Sequence, residues 1–381
     1  MAKARKYKML RKSRALALAT SLSLLALLAF ATAAQAVPGN FWGVVPQGNP
    51  TEEQWSKLKS GGADSVRIPI DWGSIESTRN SFNLTEIDQL VKRTASAGLE
   101  MLPFISGAPS WAVPYANVPG TGGARAPARL PVAGKAASAW AAMLKTLVRR
   151  YGPNGSLWAQ NPTVPKRPIR NWQIWNEPNF HYFVVHPNAA EYGKLVKLSF
   201  AALRSADPRA QVILAGLFAR PKGGKARGAT NPYASRFLQT MYERTPGVKT
   251  KFNGVALHPY SGGYQELTPE IEEFRQVLSE NHDAAKGLWI TELGWSSKPP
   301  PANPLLNIFA KGLRGQARQL KGAFTLLSAK VAAWKLKRVY WFSVDDQPGA
   351  CNFCDGSGLF KEGFVPKPSW REFVKFAGGT R

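Results

Sequence analysis

Residues 172–179 read WQIWNEPN, and residues 289–295 read WITELGW. Each run sets one acid, Glu177 or Glu292, among aromatic and apolar neighbours. A carboxylate is costly in such surroundings unless it is paired, solvated or kept protonated, and the last state makes it a proton donor near neutral pH. Two carboxylates flanking a sugar linkage are the minimum equipment for glycoside hydrolysis. One protonates the departing oxygen; the other attacks the anomeric carbon, or activates water where the gap is wider. The two acids lie too far apart in sequence for one turn or helix face to hold both. A closed barrel brings such residues together, because its strand ends converge on one rim.

The rest of the chain supplies the elements of such a barrel. Short β-branched or aromatic runs alternate with amphipathic stretches, the pattern of repeated βα units. The eight expected strands are 41–45, 65–70, 99–105, 170–175, 211–217, 254–258, 288–293 and 338–344. Each is followed by a helical pattern: 51–62, 84–98, 135–152, 188–206, 233–244, 268–281, 312–334 and 367–377. Thr51 and Thr268 are the expected N-caps, with Gly98 and Gly152 after final turns. The fold class is therefore α/β, a single (β/α)8 TIM barrel. Its elongated connections 107–134 and 299–311, rich in Pro, Gly and Ala, follow strands and belong on the C-terminal face, where they wall a cleft. On this count Glu177 follows strand four and Glu292 ends strand seven.

The first 36 residues carry a basic start, an apolar run and Ala34-Gln35-Ala36, the pattern of a cleaved secretory signal. An uncleaved anchor is the competing reading. Residues 37–381 then form the barrel domain, and the expected location is extracellular. In that setting Cys351 and Cys354 form a short-loop disulfide, since two thiols without a nearby histidine do not make a zinc site. The net charge is +26, of which seven charges belong to the leader. The remainder favours an anionic cell-wall or matrix polymer as a partner, or is simply a solvated basic surface. No dedicated nucleic-acid site is expected, and membrane contact only through an uncleaved leader.

Four motifs in register with four strand ends, "RIPIDW", "WNEPN", "HPY" and "ITELGW", resemble glycoside hydrolase clan A, the retaining (β/α)8 enzymes. The tryptophan-rich run before Glu177 is most similar to the family 39 branch. The resemblance implies Glu177 as acid/base and Glu292 as nucleophile. Asn176 would bind the sugar 2-hydroxyl, Arg67 would hold Glu292 ionised, and Tyr260 would donate a hydrogen bond to Glu292. His258 would line the same subsite, and Trp341 would form an apolar platform for a sugar face. No cofactor is required, and no metal site is expected from the histidine spacing.

Each residue has a plainer reading. Arg67 could neutralise Asp71, and His258 could be a neutral core histidine. Trp42, Trp72, Trp111 and Trp295 follow or end strands and could be sugar platforms or core. Trp55, Trp140 and Trp334 lie in helices and read as packing. Asp345-Asp346 could bind a cation or line the cleft. At the level of the whole protein, the alternatives are a carbohydrate-binding barrel without catalysis and a basic polymer binder. Phosphate-loop, dinucleotide, nucleophile-elbow and zinc-helix motifs are absent from the sequence.

Overall fold

A computed structural model describes residues 37–220, 232–299, 304–349 and 354–380. The leader and Cys351 lie outside the described residues, as does the side chain of Cys354, so the disulfide expectation falls there too.

Eight parallel strands close into a barrel in which each strand pairs with its neighbours in sequence order, and the eighth returns to the first. They are Trp42–Val45, Ser65–Asp71, Glu100–Ser106, Asn171–Ile174, Gln211–Phe218, Gly254–His258, Gly287–Leu293 and Leu336–Phe342. Strands six and seven are buried along their whole length, as expected where helices cover the outside and side chains fill the inside. The barrel interior is packed by Val45, Leu102, Ile213, Ala256, Trp289, Tyr340 and Phe342, contributed by six different strands. Helices cover the outer face, among them Gly134–Tyr151 and Ala189–Ala206, which lean on one another through the bond from Trp140 Nε1 to Ser199 Oγ.

The first helix, Glu52–Ser60, starts as expected: Thr51 caps it and Gln54 reaches back to close a capping box. Thr268 does not cap its helix. A 3-10 turn, Tyr264–Glu266, runs straight into helix Leu267–Glu280 and places Thr268 inside the first turn. Strand four ends one residue early, because Trp175 has a φ of +70°.

Both long connections pack, in their described parts, against loops that follow strand ends. Connection 107–134 folds a hairpin, Tyr115–Asn117 against Arg125–Pro127, whose Val118 and Ala126 pack on Val185 in the loop that follows Glu177. The backbone N–H of Val185 donates to Pro127 O at 2.9 Å. In connection 299–311, Phe309 ends a 3-10 turn and accepts from Ser296 N, tying that loop to the end of strand seven.

Candidate active site

Two irregularities aim the side chains. Trp175 and Glu177, at φ of +70° and +38°, both occupy a backbone region that non-glycine residues rarely adopt. The chain there is held between strands three and five by bonds from Trp175 N to Ile105 O and from Glu177 N to Gly216 O. The turn sends the Trp175 indole towards Trp140 of the outer helix layer, at 5.8 Å between ring centroids. Glu177 goes the other way, into the mouth, which accounts for an acid beside a run of indoles. The second irregularity is a bulge in strand seven. Ile290 and Leu293 pair with Val339 and Trp341, so one extra residue of strand seven fits between the two partners. Bulges re-aim side chains next to active sites. Here consecutive residues Thr291 and Glu292 both join the polar cluster in the barrel.

Arg67, midway along strand two and fully buried, organises the floor. Its Nη1 donates to Glu292 Oε1, its Nη2 to Asn176 Oδ1 and its Nε to Gln173 Oε1, each at 2.6 Å. The guanidinium also lies over the Phe104 ring, 3.8 Å from its centroid. Asp71 is not its partner; that side chain caps the short helix Trp72–Ile75. Because an arginine only donates, Asn176 must turn its oxygen to Arg67, leaving Nδ2 as a donor for a ligand.

Glu292 accepts on both oxygens, from Arg67 on one side and from the Tyr260 hydroxyl at 2.7 Å on the other. Both bonds come from donors that a carboxylate accepts well, one of them a guanidinium. Glu177 has a different environment. Its Oε1 lies 2.6 Å from His258 Nδ1, and burial first, then the charge of Glu292, push its carboxyl well above the usual range, with Arg67 pulling the other way. His258 is held well below its usual value by burial and by Arg67, so the ring is neutral. The Tyr260 hydroxyl is pushed up by burial and by Glu292, which keeps it a donor.

Glu177, His258 and Glu292 each offer an atom within 4.8 Å of the others. Two acids this close, one paired with a cation and one raised, have the arrangement of a proton donor beside a nucleophile across one bond. The same three atoms have a spacing that a cation could bridge, but the Arg67 guanidinium against Glu292 opposes a second positive charge there. Chemistry between the two acids requires no cofactor.

Arg67, Asn176, Glu177, His258, Tyr260 and Glu292 thus come together. Trp341 does not. Its ring lies on the outer side of strand eight, fully buried between Trp295 and Phe324, and its Nε1 donates to Ser357 O. Strand alternation explains this correction: Tyr340 and Phe342 take the inward positions. Phe342, joined to Ser343 by a cis peptide, reaches the Tyr260 ring at 6.3 Å. Trp42, Trp72 and Trp295 are core, while Trp111 is half-buried and donates to Glu76 O. Trp55, Trp140 and Trp334 are packed as expected. Asp346 binds no cation site of its own, because Lys367 Nζ meets it at 2.5 Å in a buried pair.

Several residues escaped sequence reasoning. Gln173 and Thr291 sit on strands already singled out, one position from residues whose type attracted notice. An aromatic wall also went unread. Ring contacts run from Tyr260 to Phe218 at 5.9 Å, on to Phe180 at 5.3 Å and Tyr182 at 4.6 Å, ending at an exposed tyrosine. Phe180 and Tyr182 follow Glu177 by three and five residues, a signal that the sequence did contain.

A β-xylosidase of Geobacillus stearothermophilus is 28% identical to this chain over 229 residues, which cover 55% of the chain and 41% of that protein. The chain therefore spans about two-fifths of the length of the curated relative it matches. Among solved structures, a family 39 glycoside hydrolase from Bacteroides cellulosilyticus WH2 superposes with a TM-score of 0.60 at 19% identity, covering 88% of this chain and 63% of that one. The chain resembles the clan A glycoside hydrolases in their family 39 form. A monomeric β-xylosidase from Caulobacter crescentus CB15 has the same barrel, with a TM-score of 0.62 at 14% identity over 89% of this chain and 69% of its own. These structural likenesses establish the barrel. No family model matches the chain.

Proposed function

We propose that the chain is a retaining glycoside hydrolase that cleaves O-glycosidic bonds of a β-linked poly- or oligosaccharide by double displacement. One observation carries this reading: two buried carboxylates within 4.8 Å have opposite environments. In the first step a Glu292 oxygen attacks the anomeric carbon while Glu177 gives its proton to the departing oxygen. Asn176 Nδ2 bonds the sugar 2-hydroxyl as charge develops at the ring. In the second step Glu177, now a carboxylate, takes a proton from the water that displaces Glu292, and the anomeric configuration is restored.

β-Xylosides are the first substrates to test, because β-xylosidases are among the proteins this chain is similar to. A panel of p-nitrophenyl β-xyloside, β-glucoside and β-mannoside should show release with at least one sugar. Proton NMR of the first product should show the β-anomer. A 2-deoxy-2-fluoro glycoside of the accepted sugar should add its mass to the peptide containing Glu292. An α-anomer as the first product, or a label on another residue, would overturn the mechanism. We also propose export, with the leader removed near Val37; N-terminal sequencing of the mature protein tests it.

A further inference from the structure

Glu177 can act as the acid only if its proton sits on the oxygen facing the substrate. The structure contains a relay that decides this. Arg67 Nε–H donates to Gln173 Oε1 at 2.6 Å, and because arginine cannot accept, the Gln173 amide has one possible orientation. Its Nε2 then donates to Leu214 O at 3.1 Å and to Thr291 Oγ1 at 3.3 Å. The Thr291 hydroxyl hydrogen has one acceptor among the described residues, His258 Nε2 at 2.9 Å. With that nitrogen accepting, the neutral ring carries its hydrogen on Nδ1 and donates it to Glu177 Oε1 at 2.6 Å.

Gln173, Thr291 and His258 have no exposed surface, so no water competes for these bonds. The barrel makes room for them at Gly216. A Cβ there would stand 1.9 Å from His258 Nε2 and 2.5 Å from Thr291 Oγ1.

We infer that Gln173 and Thr291 are positioning residues for the acid step: they fix the Nδ1–H tautomer of His258, which occupies Glu177 Oε1 and leaves Oε2 to carry the transferred proton. The inference rests on the glycosidase reading for its catalytic meaning but not for its geometry. The charged and titratable groups around Glu177 are Arg67, His258 and Glu292, with Tyr260 behind Glu292. The relay links the cation holding the nucleophile to the group holding the acid, so both carboxylates answer to Arg67.

The test uses the full chain in two arms. In the first, long-range proton–nitrogen NMR of 15N-histidine protein without substrate, with His258 assigned by the loss of its signals in His258→Gln, should show one neutral tautomer protonated at Nδ1. A hydrogen on Nε2, or a cationic ring at neutral pH, overturns the relay. This arm stands whether or not any glycoside is turned over.

In the second arm, Thr291→Val keeps the shape and deletes the hydroxyl, and Thr291→Ser restores it. Thr291→Val should average the two tautomers. It should lower kcat about ten-fold on an accepted p-nitrophenyl glycoside and move the alkaline limb of kcat/KM about half a unit higher, since Glu177 loses a donor that favours its charged form. Thr291→Ser should recover all three. A Thr291→Val protein with reduced kcat but an unmoved limb and an unmoved tautomer gives Thr291 a packing role only and overturns the inference.

Discussion

Arg67 and Glu292, 225 residues apart in sequence, meet at 2.6 Å in the floor of the barrel mouth. One guanidinium faces two buried carboxylates there, and only the nearer one is fully compensated. The carboxyl left without the guanidinium, Glu177, is the one pushed well above its usual range, by burial first and then by Glu292. Removing Arg67 leaves Glu292 buried with the Tyr260 hydroxyl as its one hydrogen-bond donor among the described residues and without a cationic partner. Arg67→Met should cost about 3 kcal/mol of stability, the order expected when one partner of a buried pair is deleted, and should abolish turnover. Urea denaturation followed by circular dichroism checks the first part. A stability change near zero would show that the pair is not desolvated in solution.

In the proposed mechanism Glu177 and Glu292 differ in what can replace them. Glu177→Ala should lower kcat by about 10² to 10⁴ on a substrate with a poor leaving group. The loss in the first step should be much smaller with 2,4-dinitrophenol as leaving group, and azide should restore turnover by giving a β-glycosyl azide. Glu292→Gln should be inactive on every substrate. Equal losses for Glu177→Ala on all leaving groups would remove Glu177 from the acid role.

The same environment predicts a pH dependence of stability. Glu177 holds its proton in the folded state to a pH well above its ordinary value of 4.5, so the unfolded chain releases that proton first as pH rises. Stability contributed by the neutral form is complete below 4.5 and is lost as pH rises towards the folded value, at about 1.4 kcal/mol per unit for one proton. Glu177→Gln lacks this slope. Its melting temperature should match the wild type near pH 4 and exceed it increasingly towards pH 7. His258 has the opposite sign, losing stability as pH falls below 6.5. A constant difference between the two proteins over pH 4 to 7 would count against a raised Glu177.

The barrel was legible because every strand carries its own apolar run and every helix its own period, signals that need only local sequence. The positions of Glu177 and Glu292 followed from strand ends and motif resemblance. Trp341 shows where that method stops. The sequence alone does not say which parity of a strand faces inward when both faces are buried, and RVYWFSV offers aromatic residues to both sides. Thr291 shows the complementary failure. Alternation would have pointed it away from Glu292's side, and the bulge that brings both inward is visible only in the pairing with strand eight. Gln173 needed the Arg67 contact before it meant anything.

The aromatic wall should matter for the leaving group and not for the sugar that becomes covalently attached. Phe180 and Tyr182 lie on the loop that carries Glu177, which in the proposed mechanism stands on the side of the departing oxygen. Tyr182, 42% exposed, is the outermost ring. Tyr182→Ala should raise KM several-fold on a β-linked trisaccharide of the accepted sugar, the worth of about 1 kcal/mol of stacked apolar area, and leave the azide partition of the glycosyl-enzyme unchanged. A matching loss on methyl β-glycoside would place the ring on the other side of the scissile bond.

Behind strand eight, Lys367 and Asp346 form a pair with no exposed side-chain surface on either partner. Lys367 Nζ also donates to Ser297 Oγ at 2.9 Å and Gly356 O at 3.1 Å, so one ammonium ties the end of strand seven, the turn after strand eight and the start of the last helix. Burial lowers the Lys367 value to about 8, although Asp346 pulls it back up, so the pair is costly as well as cohesive. Lys367→Met should destabilise by about 3 to 5 kcal/mol, because Asp346 is left buried and unpaired. Lys367→Met combined with Asp346→Leu removes both charges and should recover a large part of that loss. The double variant should also keep its KM, since neither side chain touches the acids. If it is no more stable than Lys367→Met alone, the bonds from Lys367 to Ser297 and Gly356 hold this corner together, and the ion pair contributes little to it.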